Sequence, residues 1–488
     1  MIVLPVRPSP PPSASPPAEA TPNGVSGPPE ASCHRHRRIA VPAALGAAVV
    51  LAIFGMWMLI AGFRPSPAAA PPPAATMSGP VVAVLPFENN TGDSAQDALA
   101  DGLTQAMISA LGRFDHLRVL SRGVTGAYKG RVLNTTDLGR MLDADYAVDG
   151  NLRRDGDVTR IDIQLSDART GVQIWSKTFS AAAGMGLPLA IQDEISGQAS
   201  AMIGSYWGAI GVAEYKRIRT RLAADLTPYE CIVQTVIGTS VDVTTPEPVA
   251  GARDCLERLT RNGQGSGAAW AALVAVYNIQ RNSGFTLPPA EVASVDRRLY
   301  LAQKALAAAN RAIELAPNDA FVRGLAARAN WMACQPDMVR IETLRAIALN
   351  PNDPGNLGPL GNLVAFAGFW DEGESIAAKG IALTAPSTPR WWWWVTAKRH
   401  FFRGDYQPAL EAFRQSFVER LWLSRLQMAY TLPFVGRTDE ARTHVDALLK
   451  IQPKFTIHEA DAYYKMWCFH PSYREKMRDG LRMAGLPE

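Results

Sequence analysis

The stretch that decides the fold of the first folded domain is residues 81–122, VVAVLPFENNTGDSAQDALADGLTQAMISALGRFDHLRVLSR. It begins with a short apolar run ended by Pro86, which is typical of a buried strand. Ser94 or Asp97 can cap the helix that follows. The apolar residues of that helix share one face: Leu99, Leu103, Met107 and Ala110. LRVLSR is typical of a second strand, so this order of elements predicts an α/β domain.

Three more strands are predicted after a second helix, which begins at Thr135 or Thr136. Their sequences are DYAVDGNLRR, DVTRIDIQLSD and GVQIWSKTFS, within residues 145–180. Asp155-Gly156 lies between the first two and is a strong hairpin signal. Alternation in the middle strand places three apolar residues on one face: Ile161, Ile163 and Leu165. The sheet is therefore expected to be half covered by helices.

This domain resembles the TolB-like N-terminal domain of bacterial envelope proteins. The resemblance rests on LPF, N, GD, ADGL, LRV, DG, RR, TG and W, which occur in that order over about 125 residues. The same module follows a cyclase or winged-helix domain in many membrane-anchored signalling proteins. The resemblance implies a binding or sensing module without catalytic residues.

The rest of the chain, residues 206–488, is helical and repetitive. Helices end near Pro317, Pro351, Pro386 and Pro453, and the first two prolines are 34 residues apart. Turns that begin with glycine are found in GFWDEG, GDYQPALEAF and GRTDEA, and the first two also contain aromatic residues. This pattern resembles the tetratricopeptide repeat, whose helical pairs stack to bury their apolar faces. The predicted fold class is therefore mixed: a small α/β domain followed by an all-α solenoid.

An apolar run, IAVPAALGAAVVLAIFGMWMLIAGF at residues 39–63, is long enough to cross a bilayer as a helix. CHRHRR precedes it, which predicts a cytoplasmic N-terminus. We expect residues 1–38 to be a disordered Pro-rich tail and residues 64–79 a stiff linker. Residues 80–205 would form the α/β domain. The α/β domain and the helical residues 206–488 would both be periplasmic, and the chain would be a single-pass inner-membrane protein. The alternative is a cleaved signal peptide, although such signals have shorter apolar cores.

Composition narrows the possible ligands. The net charge is only +4, and Lys and Arg are scattered, which argues against nucleic-acid binding. The five cysteines include no CxxC pair, so we expect no zinc site, and no cofactor is expected. Cys231 and Cys255 could form a disulfide across a helical hairpin, or could be unpaired core residues.

No catalytic motif is recognisable, so the chain is not expected to be an enzyme. The most unusual segment is RWWWWVTAKRH, residues 390–400. It would present aromatic and basic side chains to a protein or peptide partner. The candidate partner-binding residues are Arg390, Trp391, Trp392, Trp393, Trp394, Lys398 and Arg399, with Asp101 from the first helix. The alternative is that these Trp residues pack between helices and that Asp101 serves local structure.

The sequence therefore predicts a membrane-anchored periplasmic scaffold protein whose helical repeats bind a partner, and which could also pair with copies of itself. A second hypothesis follows from the resemblance: the chain is the sensory half of an adenylate-cyclase-like signalling system and lacks its own catalytic domain. A third, an enzyme of unrecognised type, would need clustered acids or histidines in the α/β domain, and no such cluster is evident in the sequence.

Overall fold

The computed structural model describes residues 79–131, 134–182, 189–238, 247–263, 265–282, 295–385, 388–419 and 421–488. Within these ranges no helix combines the length and the apolar character that a membrane span needs. The longest, Val295–Leu315, has 21 residues but its sequence includes Lys304, Arg311 and Glu314. This finding corrects the predicted transmembrane helix and the single-pass inner-membrane location, which are not carried further. The predicted span at 39–63, the tail before it and the linker up to residue 78 lie outside the described residues.

The α/β domain is built on a six-stranded sheet in the order β3-β1-β4-β5-β6, with β2 pairing to β4. The first strands pair in parallel, whereas β4, β5 and β6 are antiparallel. The strands are β1 Val81–Val84, β2 Glu88–Asn90, β3 Arg118–Val119, β4 Tyr146–Asp155, β5 Val158–Asp167 and β6 Gln173–Ala182. The predicted hairpin joins β4 to β5, and Gly156 adopts a φ of 59° in its turn.

Helices cover both faces of this sheet near β1. They are α1 Asp97–Leu111, α2 Arg122–Thr125, α3 Thr135–Leu142, α4 Leu189–Gly204 and α5 Ala209–Ile218. The larger core joins α1 and α4 to the face of β5 that carries Ile161, Ile163 and Leu165, as the alternation predicts. Leu138 of α3 belongs to a smaller core on the other face. The predicted α/β domain is thus confirmed.

Fourteen helices follow in the described part of the chain. They are α6 Pro228–Gly238, α7 Glu247–Thr260, α8 Gly267–Asn282, α9 Val295–Leu315, α10 Ala320–Met332, α11 Pro336–Leu349, α12 Pro354–Phe366, α13 Trp370–Thr384, α14 Trp394–Arg403, α15 Tyr406–Gln415, α16 Trp422–Thr431, α17 Thr438–Ile451, α18 Ile457–Met466 and α19 Pro471–Ala484. They share one large hydrophobic core. We call α10 to α19 the helical array.

The helices of the array come in consecutive packed pairs, α10–α11, α12–α13, α14–α15, α16–α17 and α18–α19. The first two pairs begin in the same way, because the side chains of Asp319 and Asp353, 34 residues apart, cap α10 and α12. The observed spacing agrees with the repeat read from the sequence. The tetratricopeptide solenoid itself stays a prediction.

In every pair a residue with positive φ lies in the connection between the first helix and the second. Three of these residues are glycines, Gly368, Gly404 and Gly436, with φ of 110°, 91° and 75°. Glycine is the usual residue there because a Cβ atom disfavours this conformation. In the first and last pairs the residues are Cys334 and Cys468, with φ of 55° and 54°. We call these five positions the joint turns.

Candidate functional site

The joint turns of the first four pairs place large aromatic side chains in the core of the array. The last turn of each first helix and the start of the next helix both contribute. The residues are Trp331, Phe366, Trp370, Phe401, Phe402, Tyr430 and Phe434. We call this set the aromatic row.

The last pair, α18–α19, packs on this row and covers it; we call residues 457–484 the cover. The ring of Trp467 lies 4.4 Å from that of Trp331, between centroids. Phe469 stacks on Phe366 at 4.4 Å. Tyr473 stacks on Trp370 at 5.7 Å. The cover therefore follows the row from the first pair into the second.

Tyr473 also contacts the rest of the row. Its ring centroid lies 5.3 Å from that of Phe401, and its hydroxyl lies 2.9 Å from that of Tyr430. Lys476 donates to the carbonyl oxygen of Phe402 at 2.6 Å. Gly480 lies so close to Tyr430 that a Cβ atom there would be 2.1 Å from its carbonyl oxygen. One helix, α19, thus touches three successive joint turns.

The side of the cover that faces the row is an amphipathic stripe. Its apolar residues are spaced by four and are all buried: Phe469, Tyr473, Met477 and Leu481. Tyr473, Met477 and Leu481 therefore lie on one side of α19, whereas Phe469 precedes this helix, which begins at Pro471. The opposite side carries exposed residues such as Glu475 and Asp479. The array therefore holds an amphipathic helix across its row of aromatic rings.

A disulfide between Cys334 and Cys468 closes the array from its first joint turn to its last. The Cα atoms are 5.5 Å apart, and the two residues are 134 positions apart in sequence. The structure also pairs Cys231 with Cys255, with Cα atoms 5.9 Å apart, which is the first of the two options left open by the sequence. Cys334 is exposed, whereas Cys231 and Cys255 are buried.

Lys398 of α14 is buried between the row and the cover, with 3% of its surface exposed. Its ammonium lies 4.5 Å from the ring centroid of Phe366 and 4.8 Å from that of Trp394. On the cover side, Phe469 and Tyr464 lie 5.0 and 5.7 Å away. Burial lowers the pKa of this ammonium to about 7. Four aromatic rings therefore surround this amino group at the centre of the closed array.

The four tryptophans of the predicted binding segment do not form one exposed surface. Arg390 to Trp393 form a 3₁₀ turn, and α14 begins at Trp394. Trp392 and Trp394 are only 5% and 8% exposed. The ring of Trp392 packs on Gly358, where a Cβ atom would be 2.2 Å from it. These two rings therefore pack between helices, which was the alternative reading, while Trp391 and Trp393 are half-buried.

The charged candidates of the same segment differ in exposure. Arg390 is exposed and donates to the carbonyl oxygen of Phe417 at 3.2 Å. Arg399 is held by two carboxylates, Asp371 at 2.7 Å and Glu374 at 3.0 Å. Arg390 is thus the candidate best placed to meet a partner.

Asp101 lies on α1 of the α/β domain, away from the predicted binding segment in the fold. It pairs with Lys129 at 2.7 Å and with Arg122 at 3.5 Å. These ion pairs fit a role in local structure. A role in partner binding for Asp101, and for the RWWWW segment, stays a prediction.

The α/β domain and the array meet at a cluster of buried titratable groups. His116 stacks on Tyr206 at 3.9 Å, and burial lowers the pKa of its imidazole to about 3. Burial and the nearby Asp115 carboxylate raise the pKa of Asp319 to about 7. Burial raises the pKa of Asp353 to about 6. The junction therefore favours neutral side chains.

A second polar site lies on the sheet, in an open depression of about 430 Å³. Its side chains largely satisfy one another: Arg153 donates to Asp162 at 2.8 Å, and Thr178 donates to the same carboxylate at 2.6 Å. Gln164 donates to Asp149 at 2.5 Å. This site offers fewer free groups to a ligand than the array does.

Comparisons with known proteins find similarity over parts of the chain. Residues 78–197 match the family model of the second domain of HilA/YgeH-like transcriptional regulators. A protein of Rhizobium meliloti (strain 1021), named "Putative adenylate cyclase 3", is 30% identical over 171 residues. The match covers 35% of this chain and 28% of that protein, so the chain spans less than a third of the length of this relative.

Solved structures give distant matches. TolB from Acinetobacter baumannii is 16% identical, with 25% of this chain and 27% of that chain covered and a TM-score of 0.18. Lipoprotein GNA1162 from Neisseria meningitidis is 14% identical, with 24% and 92% covered and a TM-score of 0.20. The LpoB C-terminal domain from Escherichia coli is 17% identical, with 26% and 95% covered and a TM-score of 0.19.

The predicted resemblance is confirmed only in a coarser form: residues 78–197 match the model of a regulator domain, and part of the chain is weakly similar to an adenylate cyclase. None of these matches tests the tetratricopeptide assignment. The periplasmic scaffold has no support and is dropped together with the membrane location.

The aromatic row and the cover were missed in the sequence. Two signals could have found them: an aromatic residue within two positions of each Gly of the joint turns, and the four-residue spacing of Phe469, Tyr473, Met477 and Leu481.

Proposed function

We propose that this chain is a non-enzymatic regulatory protein that binds a protein partner through its helical array. The observation that supports the proposal is the packing of α19 on the aromatic row. An amphipathic helix lies across aromatic rings from three successive joint turns, with Tyr473 against Trp370 and Phe401. Binding of an amphipathic helix in an apolar groove is a common mode of protein recognition. Aromatic residues are also enriched at the energetic centres of interfaces.

The comparisons support a regulatory role. The α/β domain matches the model of one domain of a transcriptional regulator family, and 171 residues of the chain are similar to a protein named as a putative adenylate cyclase. In our proposal the chain binds a protein partner and does not catalyse a reaction. A second candidate, the sensory half of an adenylate-cyclase-like system, rests on the 171-residue match alone.

The exposed part of the RWWWW segment would add contacts outside the row. Arg390 is exposed, and Trp391 is half-buried next to it. An aromatic ring beside a guanidinium on one surface is a suitable anchor for a protein partner.

Site-specific photo-crosslinking in cells that express the full chain tests the proposed function. A photoreactive phenylalanine derivative replaces Arg390 or Phe402 in the array, or Met141, an exposed apolar residue of the α/β domain, as the control. We expect one recurrent crosslinked protein at the array positions and not at the control. No crosslink at either array position, or the same proteins at all three, would count against partner binding by the array.

A further inference from the structure

We propose that residues 457–484 are a releasable cover locked by the Cys334–Cys468 disulfide, and that the aromatic row beneath them docks an amphipathic helix of a partner protein. This inference rests on the proposed function, because it names the surface that the partner would use. The partner helix would carry the pattern of α19 itself: an aromatic residue followed by aliphatic residues four and eight positions later, with another aromatic residue just before the helix.

The cover is held together by its own contacts, so it can leave the row as one unit. Asp461 of α18 accepts hydrogen bonds from two arginines of α19, Arg474 at 3.0 Å and Arg478 at 3.2 Å. Thr456 and Glu459 form a capping box that begins α18. These contacts do not involve the row. Separation from the row would therefore leave the cover's internal bonds intact.

The boundary between cover and row is rich in polar groups, unlike an ordinary core. It includes the Lys398 ammonium, for which no carboxylate lies within ion-pair distance among the described residues. It also includes the hydroxyls of Tyr430, Tyr464 and Tyr473, which bond to one another. Hydrogen-bonded polar groups and aromatic rings are typical of interfaces that form and separate. The boundary therefore resembles a protein–protein interface within one chain.

The position of the Cys334–Cys468 disulfide indicates that it holds the cover on the array. Cys334 and Cys468 occupy joint turns where the intervening pairs have glycine, and both adopt a positive φ. That conformation is unfavourable for a residue with a Cβ atom. Turn geometry would thus favour glycine at both positions. The residues present instead join the first turn to the cover.

The same disulfide is accessible to a reductant. Cys334 is exposed and Cys468 is half-buried. Exposed disulfides are the ones that thiols reach and reduce most readily. A dithiol breaks the Sγ–Sγ bond by exchange: the two cysteines gain two electrons and two protons and become thiols, and the dithiol is oxidised to its own disulfide. Reduction then leaves the cover attached by noncovalent contacts only.

Those noncovalent contacts include two hydrogen bonds that a partner helix must replace. Arg281 of α8 donates to the carbonyl oxygen of Met466 at 2.9 Å. Lys476 donates to that of Phe402 at 2.6 Å. A competing helix should therefore carry a basic residue three positions after its second aromatic residue, as Lys476 follows Tyr473. It also needs a small residue where Gly480 passes the carbonyl oxygen of Tyr430.

A competition experiment on the full chain tests this inference. The probe is a fluorescein-labelled peptide with the sequence of residues 467–486 and Cys468→Ser, followed by fluorescence anisotropy. Because the cover competes at a high effective concentration, Tyr473→Ala is also introduced into the chain to weaken it. Three proteins are titrated: the oxidised wild type, Cys334→Ser, and Cys334→Ser with Tyr473→Ala.

We expect no measurable binding to the oxidised protein, and binding at least tenfold tighter to the double variant than to Cys334→Ser. A peptide with Phe469 and Tyr473 changed to Ala should not bind. Wild type reduced under native conditions and alkylated provides a second route that needs no substitution. Equal binding to oxidised and reduced protein, or none to any folded form, would overturn the inference. Crosslinks at Arg390 without peptide binding would contradict the releasable cover and would still support partner binding by the array. Peptide binding without any crosslinked protein would support the releasable cover and would count against the binding of a partner protein.

Discussion

Cys334 and Cys468 share a left-handed backbone conformation, with φ of 55° and 54°, and are joined by a disulfide with Cα atoms 5.5 Å apart. They occupy the first and last of five equivalent turns, and glycines occupy the other three. The array is therefore closed on itself through its joint turns. The closure buries the aromatic surface that an open row of helical pairs would present to a partner.

The two disulfides should differ in their resistance to reduction. Cys334 is exposed, whereas Cys231 and Cys255 are buried in the core of α6 to α8. We expect limited treatment with a dithiol to open Cys334–Cys468 first, because access controls the exchange rate. Alkylation of the released thiols and peptide mass spectrometry measure the order. Release of Cys231 and Cys255 first would contradict the assigned accessibility.

Lys398 should make stability depend on pH in the alkaline range. Burial lowers its folded pKa to about 7 from an ordinary value of 10.5, so between these values the unfolded chain binds one more proton. The stability of the wild type should therefore fall as pH falls from 10.5 to 7, by at most about 1.4 kcal/mol per pH unit. Lys398→Met keeps the apolar stem and should remove this slope. Urea unfolding at pH 7, 8 and 9 measures it.

The matched control for this variant is Lys379→Met, at an exposed position of α13. It should keep the slope of the wild type. Parallel curves for wild type and Lys398→Met would show that the ammonium is not desolvated.

Asp319 should produce the opposite slope near neutral pH. Its folded pKa is raised to about 7 by burial and by the Asp115 carboxylate, so the folded chain holds a proton that the unfolded chain has lost above about pH 4. Stability from this group is present at low pH and is lost as pH rises through 7. Asp319→Asn keeps an N-cap side chain and removes the titration. We expect the variant to exceed the wild type in stability at pH 8 and to equal it near pH 4.

Thermal unfolding at both pH values measures that difference. Asp439→Asn is the control, since Asp439 is a fully solvated residue near the start of α17. If Asp319→Asn raised the thermal stability equally at both pH values, the change would come from helix capping and not from the charge of Asp319.

Gly358 should be intolerant of alanine because the ring of Trp392 lies where a methyl group would be, 2.2 Å from the Cβ position. We expect Gly358→Ala to lower the free energy of unfolding by about 1–3 kcal/mol through overpacking. Gly251→Ala is the control, because that helical position has open space and alanine is the better helix former by about 1 kcal/mol. Urea midpoints compare the two. If Gly358→Ala left the free energy of unfolding unchanged, the ring of Trp392 would not pack on α12 as described.

The elements that could be predicted from the sequence depend on local signals. The β4–β5 hairpin follows from Asp155-Gly156 and from alternation along the strand, and both act within a few residues. The helical pairs follow from caps and prolines at a spacing of 34 residues, as Asp319 and Asp353 illustrate. The sequence positions of these elements were therefore predictable.

The candidate site was less predictable because it depends on geometry over long distances. The contact of Trp331 with Trp467 joins residues 136 positions apart, and it exists only because the array curves back on itself. The sequence did not show which of the four tryptophans would be buried, for a local reason. Arg390 to Trp393 form a 3₁₀ turn, with about three residues per turn, so an α-helical projection assigns their directions wrongly.

The central claim is that the array hides its binding surface under residues 457–484 and releases it on reduction. Hydrogen exchange of the full chain, measured by mass spectrometry with and without a dithiol, tests it most directly. We predict that reduction speeds exchange in residues 457–484 and in the joint turns near Phe366, Phe401 and Tyr430, while strands β4 and β5 keep their protection. Unchanged exchange in the cover after complete reduction of Cys334–Cys468 would contradict the claim.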